Sequence, residues 1–397
     1  MNDVRNQFSA VCLTIALASV LLRLGYEDIL DSSLLRALGD SVIVHIPLLL
    51  GCLVAINLDE DKSYRCVMQV IFFYLAIQYV LNYFGYSVSM LAGFIAGLSC
   101  YTDRLIKKKY FKYDKEHWSY IFYFVLGSIC GILLGIFQFA LESNINAFAQ
   151  WLASLPQHVS SFLYGISEVL LKPLGLNTEL REVILYQYSS SGNILGDYYL
   201  YLQGDSGAGL YMTGEYPIII FGSLGIMTAV LFNLGEKKNP ATVISVILLF
   251  ISAILTGVTE GIELFILALA PVLYILHSLL SGVSFLLCSL LDCREGYRFS
   301  AGLWDYIVQY GSAVNGDIII LLGILFFLLY LTLFVTILNP VLIKDGVNSM
   351  RKKVALLSMN FKTIKNNLQR DNVLEEEPKD SEEHIIHKIT VDEDEGL

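Results

Sequence analysis

The segment "LTGVTEGIELFILALAPVLYILHSLLSG", residues 255–282, carries two carboxylates, Glu260 and Glu263, inside an otherwise apolar run. Three residues apart, they share one face of a helix. Ionisable groups within a membrane are costly and turn toward the protein interior, where they serve a functional site or a structural pair. Gly257 and Gly261 flank the first acid, and Thr259 sets a hydroxyl beside it. Glycines in these places permit a broken helix and close approach of a ligand to the backbone. A carboxylate, a hydroxyl and exposed backbone suit a polyhydroxylated ligand such as a sugar, which needs acceptors at defined positions. Glu260 is accordingly read as a ligand-binding carboxylate. Glu263 is read as a structural carboxylate, paired with an arginine or capping a helix, that supports the broken segment with Gly257 and Gly261.

The elements around these acids are membrane-spanning. Of 397 residues, 55% are hydrophobic and 16% are charged, and the mean hydropathy is +0.60. A soluble domain of this length rarely carries so few charges. The runs 8–25, 41–57, 66–84, 86–100, 119–141, 241–256 and 318–338 approach the ~17–25 apolar residues needed to cross a bilayer. The fold class is therefore an all-α polytopic membrane protein, and the first run is a retained span rather than a cleaved leader. Residues 145–172 are amphipathic and read as an interfacial connecting helix broken at Pro156. Residues 175–235 are rich in glycine and polar groups, so no helix is expected to run unbroken through them. Two readings stay open there: re-entrant hairpins around a substrate site, or a large loop outside the membrane.

Charge sets the orientation. Six Lys or Arg lie between Arg104 and Lys115, a second basic turn holds Lys237 and Lys238, and Arg351, Lys352 and Lys353 follow the last run. Basic loops stay in the cytoplasm, which places both termini inside and requires an even number of crossings, about ten. Tyr110, Phe111 and Tyr113 beside the first basic cluster read as headgroup anchors, not as a nucleic-acid surface. The net charge of −11 is concentrated in the tail, where "LEEEPKDSEEHIIHKITVDEDEGL" holds ten acids against two lysines. That composition favours a solvated, disordered end. The division expected is a membrane domain over 1–345 and a tail over 346–397. No metal site or cofactor is expected: the seven cysteines have no ligand spacing, imply no disulfide framework, and act as small hydrophobes.

Two blocks resemble a known family. One is "GDYYLYLQGDSGAGLYMTGEYPIIIFGSLG", residues 196–225; the other is "LTGVTEGIELFILALAPVLYILHSLLSGVSFLLCSLLDCREGYRFSAGLWDYI", residues 255–307. With a weaker echo at "IPLLLGCLVAINL", they resemble the IIC permease of the bacterial sugar phosphotransferase system, in its glucose, N-acetylglucosamine and maltose superfamily. The resemblance implies ten crossings, two re-entrant hairpins, an amphipathic connecting helix and a homodimer in the inner membrane. Residues 1–142 would form the dimerising half and 143–345 the sugar-bearing half. It implies that Glu260 hydrogen-bonds the sugar, with Thr259, Asn177, Thr178, Phe221 and Gly222 around it, and that a separate IIB protein supplies phosphate. The chain departs from the family pattern where a histidine pair would stand, since "PLGLNTEL" has Asn177 and Thr178 there, and two family prolines are replaced by Gly261 and Ser223. Neither Asn177 nor Thr178 titrates near neutral pH. A second outcome is therefore a relative that binds sugar as a sensor or facilitator without phosphorylation. An unrelated ion-coupled carrier would account for the acids alone. His277, on the helix after Pro271, is read as a satisfied interior histidine.

Overall fold

The computed structural model describes residues 2–58, 64–110, 116–187, 196–233, 240–269 and 271–338, and every regular element among them is helical. In chain order the first are α1 (Asn2–Leu24), α2 (Ser33–Ile43), α3 (Ile46–Leu58), α4 (Tyr64–Tyr83), α5 (Met90–Tyr110) and α6 (Glu116–Ser154). Among the described residues, six helical stretches are long and apolar enough to cross a membrane: 33–56, 64–83, 120–154, 210–233, 272–290 and 316–337. Three shorter apolar helices, 9–24, 90–100 and 240–256, accompany them. The basic side chains between Arg104 and Lys115, Lys237, Lys238 and all residues after Leu338 lie outside the described residues.

The apolar pattern is inverted relative to a soluble protein. Ile121, Phe124, Ile132, Leu133, Ile136 and Phe139 on α6 are all exposed, a face that lipid covers rather than water. Beneath it, α4 packs along α6, and α3 along α5. The core there is built from Val70, Phe73, Tyr74, Ile77, Ala92 and Ala96. Close approach of α3 and α5 depends on small residues, as membrane helix pairs commonly do. A Cβ on Gly93 would lie 1.9 Å from the Pro47 carbonyl oxygen. Gly93→Ala is therefore expected to push α3 off α5 at a cost of about 1–3 kcal/mol, the usual penalty for overpacking. The melting temperature of the purified protein in detergent checks it; an unchanged value would show that the pair yields freely.

One cysteine pair is a correction to the sequence reading. Cys66 and Cys100 are disulfide-bonded, joining the start of α4 to α5 across 34 residues of chain. Only helix packing brings them together, so their spacing held no signal. Among the remaining cysteines, Cys12, Cys288 and Cys293 are buried and free, as small hydrophobes are.

After Pro156 the chain continues as α7 (Gln157–Leu171), a 3₁₀ turn over Lys172–Leu174, and α8 (Asn177–Arg181), which passes into a π-helical turn over Glu182–Gln187. Pro156 does end the preceding helix as expected, because Pro cannot donate within a helix. The stretch 145–154 is the end of α6 rather than part of a separate interfacial helix, and α7 packs against the later helix Pro271–Leu290. The middle region is likewise more regular than its composition suggests. Beyond α9 (Asp197–Leu202), α10 (Leu210–Thr213) leads through a π-helical turn at Pro217–Gly222 into α11 (Ser223–Asn233), one of the spanning-length stretches. Pro217 removes a backbone donor, and a π turn is the local adjustment that lets a helix continue past such a gap.

The last helices are α12 (Pro240–Thr256), α13 (Glu260–Leu269), α14 (Pro271–Leu290), α15 (Leu303–Gln309) and α16 (Gly316–Ile337). A second core joins Tyr164, Leu180, Ile184, Met212, Tyr216, Phe285 and Tyr297. In this part α14 packs on α7, and α11 on α16, while α1 runs along α12. Arg23 fastens that N-terminal helix. Its guanidinium reaches Asp28 at 2.6 Å and the buried Asp305 at 3.1 Å, between the rings of Phe299 and Trp304.

Candidate functional site

The apolar segment that holds the two acids is not one helix: it takes in the end of α12, all of α13 and the start of α14. The break between α12 and α13 includes Gly257, which sits at φ +79°, a left-handed conformation that only glycine adopts at little cost. A side chain there would collide with Ser300, whose Oγ donates to the Gly257 carbonyl at 2.9 Å. α13 then begins at Glu260, so that Glu260 and Glu263 occupy its first turn. Carboxylates are favoured there by the unpaired N–H groups of a helix start. Gly261 is close-packed: an added Cβ would meet Ile15 at 2.7 Å and Leu249 at 2.8 Å, from α1 and α12.

This turn forms one side of a cavity of about 450 Å³, within the size range of small-molecule sites. Gly257, Val258, Thr259, Glu260, Glu263, Phe299 and Ser300 line it from one part of the chain, and Glu168, Lys172, Asn177, Thr178, Arg181 and Glu182 from another. Glu215, Ile218, Ile219 and Ser223 close it from the helix that carries the π turn, together with His277. Glu260, Thr259, Asn177 and Thr178 thus come together from positions about 80 residues apart in sequence. Phe221 and Gly222 are not in the wall. Contacts with α16 hold them instead: the Phe221 ring fills the space beside Gly323, and Gly222 lies against the Tyr330 ring.

The roles of the two acids separate by their partners. Lys172 Nζ lies 2.6 Å from Glu263 Oε1 and donates to Thr259 Oγ1 at 3.0 Å, while Thr259 donates to the same Glu263 oxygen at 2.7 Å. Of the two roles expected for Glu263, a pair with an arginine or a helix cap, the structure shows a carboxylate in the first turn of α13 that is paired with a lysine. Glu260 has no Lys or Arg within ion-pair distance among the described residues, and its Oε2 is buried with no hydrogen-bond partner. A buried carboxylate oxygen without a donor is expensive, and a ligand hydroxyl or ammonium group would satisfy it. His277 is 7% exposed and its Nδ1 lies 2.6 Å from the Tyr330 hydroxyl, as a satisfied interior histidine should.

Sequence reasoning missed the charged floor of the cavity. Arg181 Nη1 lies 3.3 Å from both Glu168 and Glu215, and Nη2 donates to the Tyr297 hydroxyl at 2.7 Å. Lys172 is also 3.9 Å from Glu168. A signal was present, since Glu168, Lys172 and Glu215 all sit in apolar surroundings where an ionisable group is a site by default. A further buried carboxylate lies outside the cavity wall. Asp197, 8% exposed, accepts the Gly209 N–H at 2.9 Å and the Tyr211 N–H at 2.8 Å, pinning the glycine-rich loop onto α9. Asp197→Ala would strand both donors, at about 1–3 kcal/mol each. Lowered thermal stability of the purified protein is the expected result, and wild-type melting would show that water replaces the carboxylate.

The family profile described as "Phosphotransferase system, EIIC" matches residues 118–282. The N-acetylglucosamine-specific EIICB component of the phosphotransferase system of Bacillus subtilis (strain 168) is 30% identical over 339 residues, covering 82% of this chain and 74% of that protein. This chain belongs to the EIIC family. Other EIIC relatives include the N-acetylglucosamine-specific EIICBA component of Escherichia coli (strain K12), 27% identical over 80% of the chain, and the glucosamine-specific EIICBA component of Bacillus subtilis (strain 168), 29% identical over 80%. The EIIC chain spans 51% and 54% of those two proteins. Membership of this family, with six spanning-length apolar helices, makes it a multi-pass membrane protein of the sugar phosphotransferase system.

Proposed function

We propose that this EIIC chain carries a hexose or hexosamine inward across the bacterial cytoplasmic membrane while a separate IIB protein phosphorylates it. The observation that carries the reading is Glu260: a carboxylate with one buried oxygen lacking a donor, in a cavity also lined by Thr259, Asn177 and Thr178. A sugar hydroxyl donating to that oxygen makes a charge-assisted hydrogen bond, stronger than a neutral one. Asn177 and Thr178 supply both donors and acceptors to neighbouring hydroxyls. Glu263, paired with Lys172 and Thr259, supports the turn together with Gly257 and Gly261.

The finer architecture belongs to the same proposal. Six apolar helices of spanning length and three shorter ones among the described residues, with the broken turn at Gly257, support ten crossings with two re-entrant hairpins and both termini in the cytoplasm. Part of the exposed apolar face of α6 would bury against a second copy in a homodimer, with lipid on the rest. Residues 1–142 would supply that dimerising half, although α1 packs on α12, and 143–345 the moving half. The basic residues 104–115 and the acidic tail would receive IIB, with charge complementarity guiding the encounter.

A second reading, a sugar sensor or facilitator, is favoured by Asn177 and Thr178, which cannot relay a proton near neutral pH. Binding of radiolabelled glucose, N-acetylglucosamine and maltose to the purified protein, followed by addition of the soluble phosphotransferase components, separates the two. Sugar phosphate appearing only with the EIIC chain supports the permease. Binding without phosphate supports the facilitator, and no binding of any sugar overturns both.

A further inference from the structure

The loop between α14 and α15 carries a buried acid that does not line the cavity. Glu295 is 0% exposed, and both of its carboxylate oxygens lack a hydrogen-bond partner. Its backbone is held on every side. The Glu295 N–H donates to Thr213 Oγ1 at 2.7 Å, and the Gly296 carbonyl accepts the Tyr216 hydroxyl at 2.7 Å. Arg294 exchanges backbone hydrogen bonds with Val314 at 3.0 and 2.8 Å. Four tyrosines lie around the side chain: Tyr201 from α9, Tyr216 beside Pro217, Tyr306 from α15 and Tyr310 just after it. Each phenol is engaged elsewhere, Tyr201 with Ser312 Oγ, Tyr216 with Gly296, Tyr306 with the Gly316 carbonyl and Tyr310 with Asp317. The charged groups of the loop are no nearer to pairing with it. Arg294 binds Asp292 and the carbonyls of Cys293 and Gly207, Arg298 is exposed, and the buried Cys293 thiol lies 3.8 Å from the Leu291 carbonyl. Among the described residues no cation pairs with Glu295.

We infer that Glu295 is a proton-binding site, and that the loop over residues 292–302 stays seated only while that proton is held. A neutral carboxyl needs no counter-ion, whereas a bare charge enclosed in this way is costly. Burial alone pushes the Glu295 carboxyl up to about 8. The course of the loop gives the proton a consequence. Tyr297 accepts from Arg181 at 2.7 Å, Phe299 and Ser300 line the cavity, and Ser300 donates to the Gly257 carbonyl at 2.9 Å. Unseating the loop removes that lining and frees the turn at Gly257, whichever ligand the cavity takes. The pH dependence has one sign. The unseated loop gives up its proton above the ordinary value of 4.5, and the seated loop keeps it up to about 8. Between those values the seated form binds one proton more, so each rise of one pH unit favours opening about tenfold. Outside that window this acid adds no pH dependence.

Hydrogen–deuterium exchange of the purified full-length protein in detergent, read on peptides covering 292–302 and corrected for the intrinsic exchange rate, measures this opening. From about pH 6 to about pH 8 the wild-type loop should lose about tenfold of its protection per pH unit, with no such slope in Glu295→Gln, which is neutral throughout. Glu295→Leu, with no amide to satisfy, serves the same comparison where the glutamine variant is not monodisperse. Protection that is independent of pH in the wild type would overturn the proton site. Equal slopes in the wild type and the neutral variants would overturn it too, by assigning the titration to another group. So would protection restored at the alkaline end by sodium or potassium in place of N-methylglucamine, since the occupant would then be a metal cation.

Discussion

Glu260→Gln is expected to weaken sugar binding by about 10- to 150-fold, the loss of about 1.5–3 kcal/mol for a hydrogen bond to a charged group. Glutamine keeps the volume and one acceptor but replaces the free oxygen with an amide that donates. Because no described cation pairs with Glu260, removing its charge strands no buried partner. Protein yield and melting should therefore stay near wild type, which distinguishes a ligand-binding role from a structural one. Equilibrium binding of radiolabelled sugar reads the affinity, and transport in proteoliposomes reads its consequence. An unchanged affinity in a well-folded variant would remove Glu260 from the site. A loss of melting temperature equal to the loss of binding would make it a structural carboxylate instead.

Lys172→Met has a larger expected effect and a different signature. Lys172 is the nearest cation to Glu263 at 2.6 Å, and Glu263 is almost fully buried. Breaking one partner of a buried pair costs about 3–5 kcal/mol, because the remaining charge is left without compensation. Thr259 also loses a donor to its hydroxyl, so the turn that presents Glu260 would loosen. The variant should accumulate poorly and melt well below wild type in detergent. Removing both charges is a milder change than removing one, so Lys172→Met with Glu263→Leu should recover much of the lost stability. Glu168 keeps Arg181 in that double variant. A single variant as stable as wild type, or a double variant no better than the single, would show that the pair does not hold the turn.

The two variants test the separation of roles that local sequence pattern suggested and spatial partners refine. Glu260 and Glu263 stand three residues apart on one helical turn, with the same side-chain chemistry, and nothing within the segment tells which one faces a ligand. Lys172, 91 residues away from Glu263, makes the difference. The same limit explains Phe221 and Gly222. They sit in a block whose motif resembles a sugar site, yet packing against Gly323 and Tyr330 turns them to α16. Glu215, six residues before Phe221, enters the cavity instead.

Composition and local pattern alone determined that the chain is helical, that it spans a membrane several times, that Pro156 divides two helices, and that the Thr259–Glu263 turn is where an ionisable group must have a purpose. These follow from properties that act over a few residues: the length of an apolar run against bilayer thickness, the missing donor of a proline, and the cost of a charge in hydrocarbon. The tertiary structure decided which groups meet. It set Lys172 on Glu263, Arg181 between Glu168 and Glu215, Cys66 on Cys100, and an unbroken helical path through the π turn at Pro217. Such partners come from segments far apart in the chain, and their distances are fixed by how close one helix can approach another. Small residues such as Gly93 and Gly261 control that approach through packing that no single segment contains.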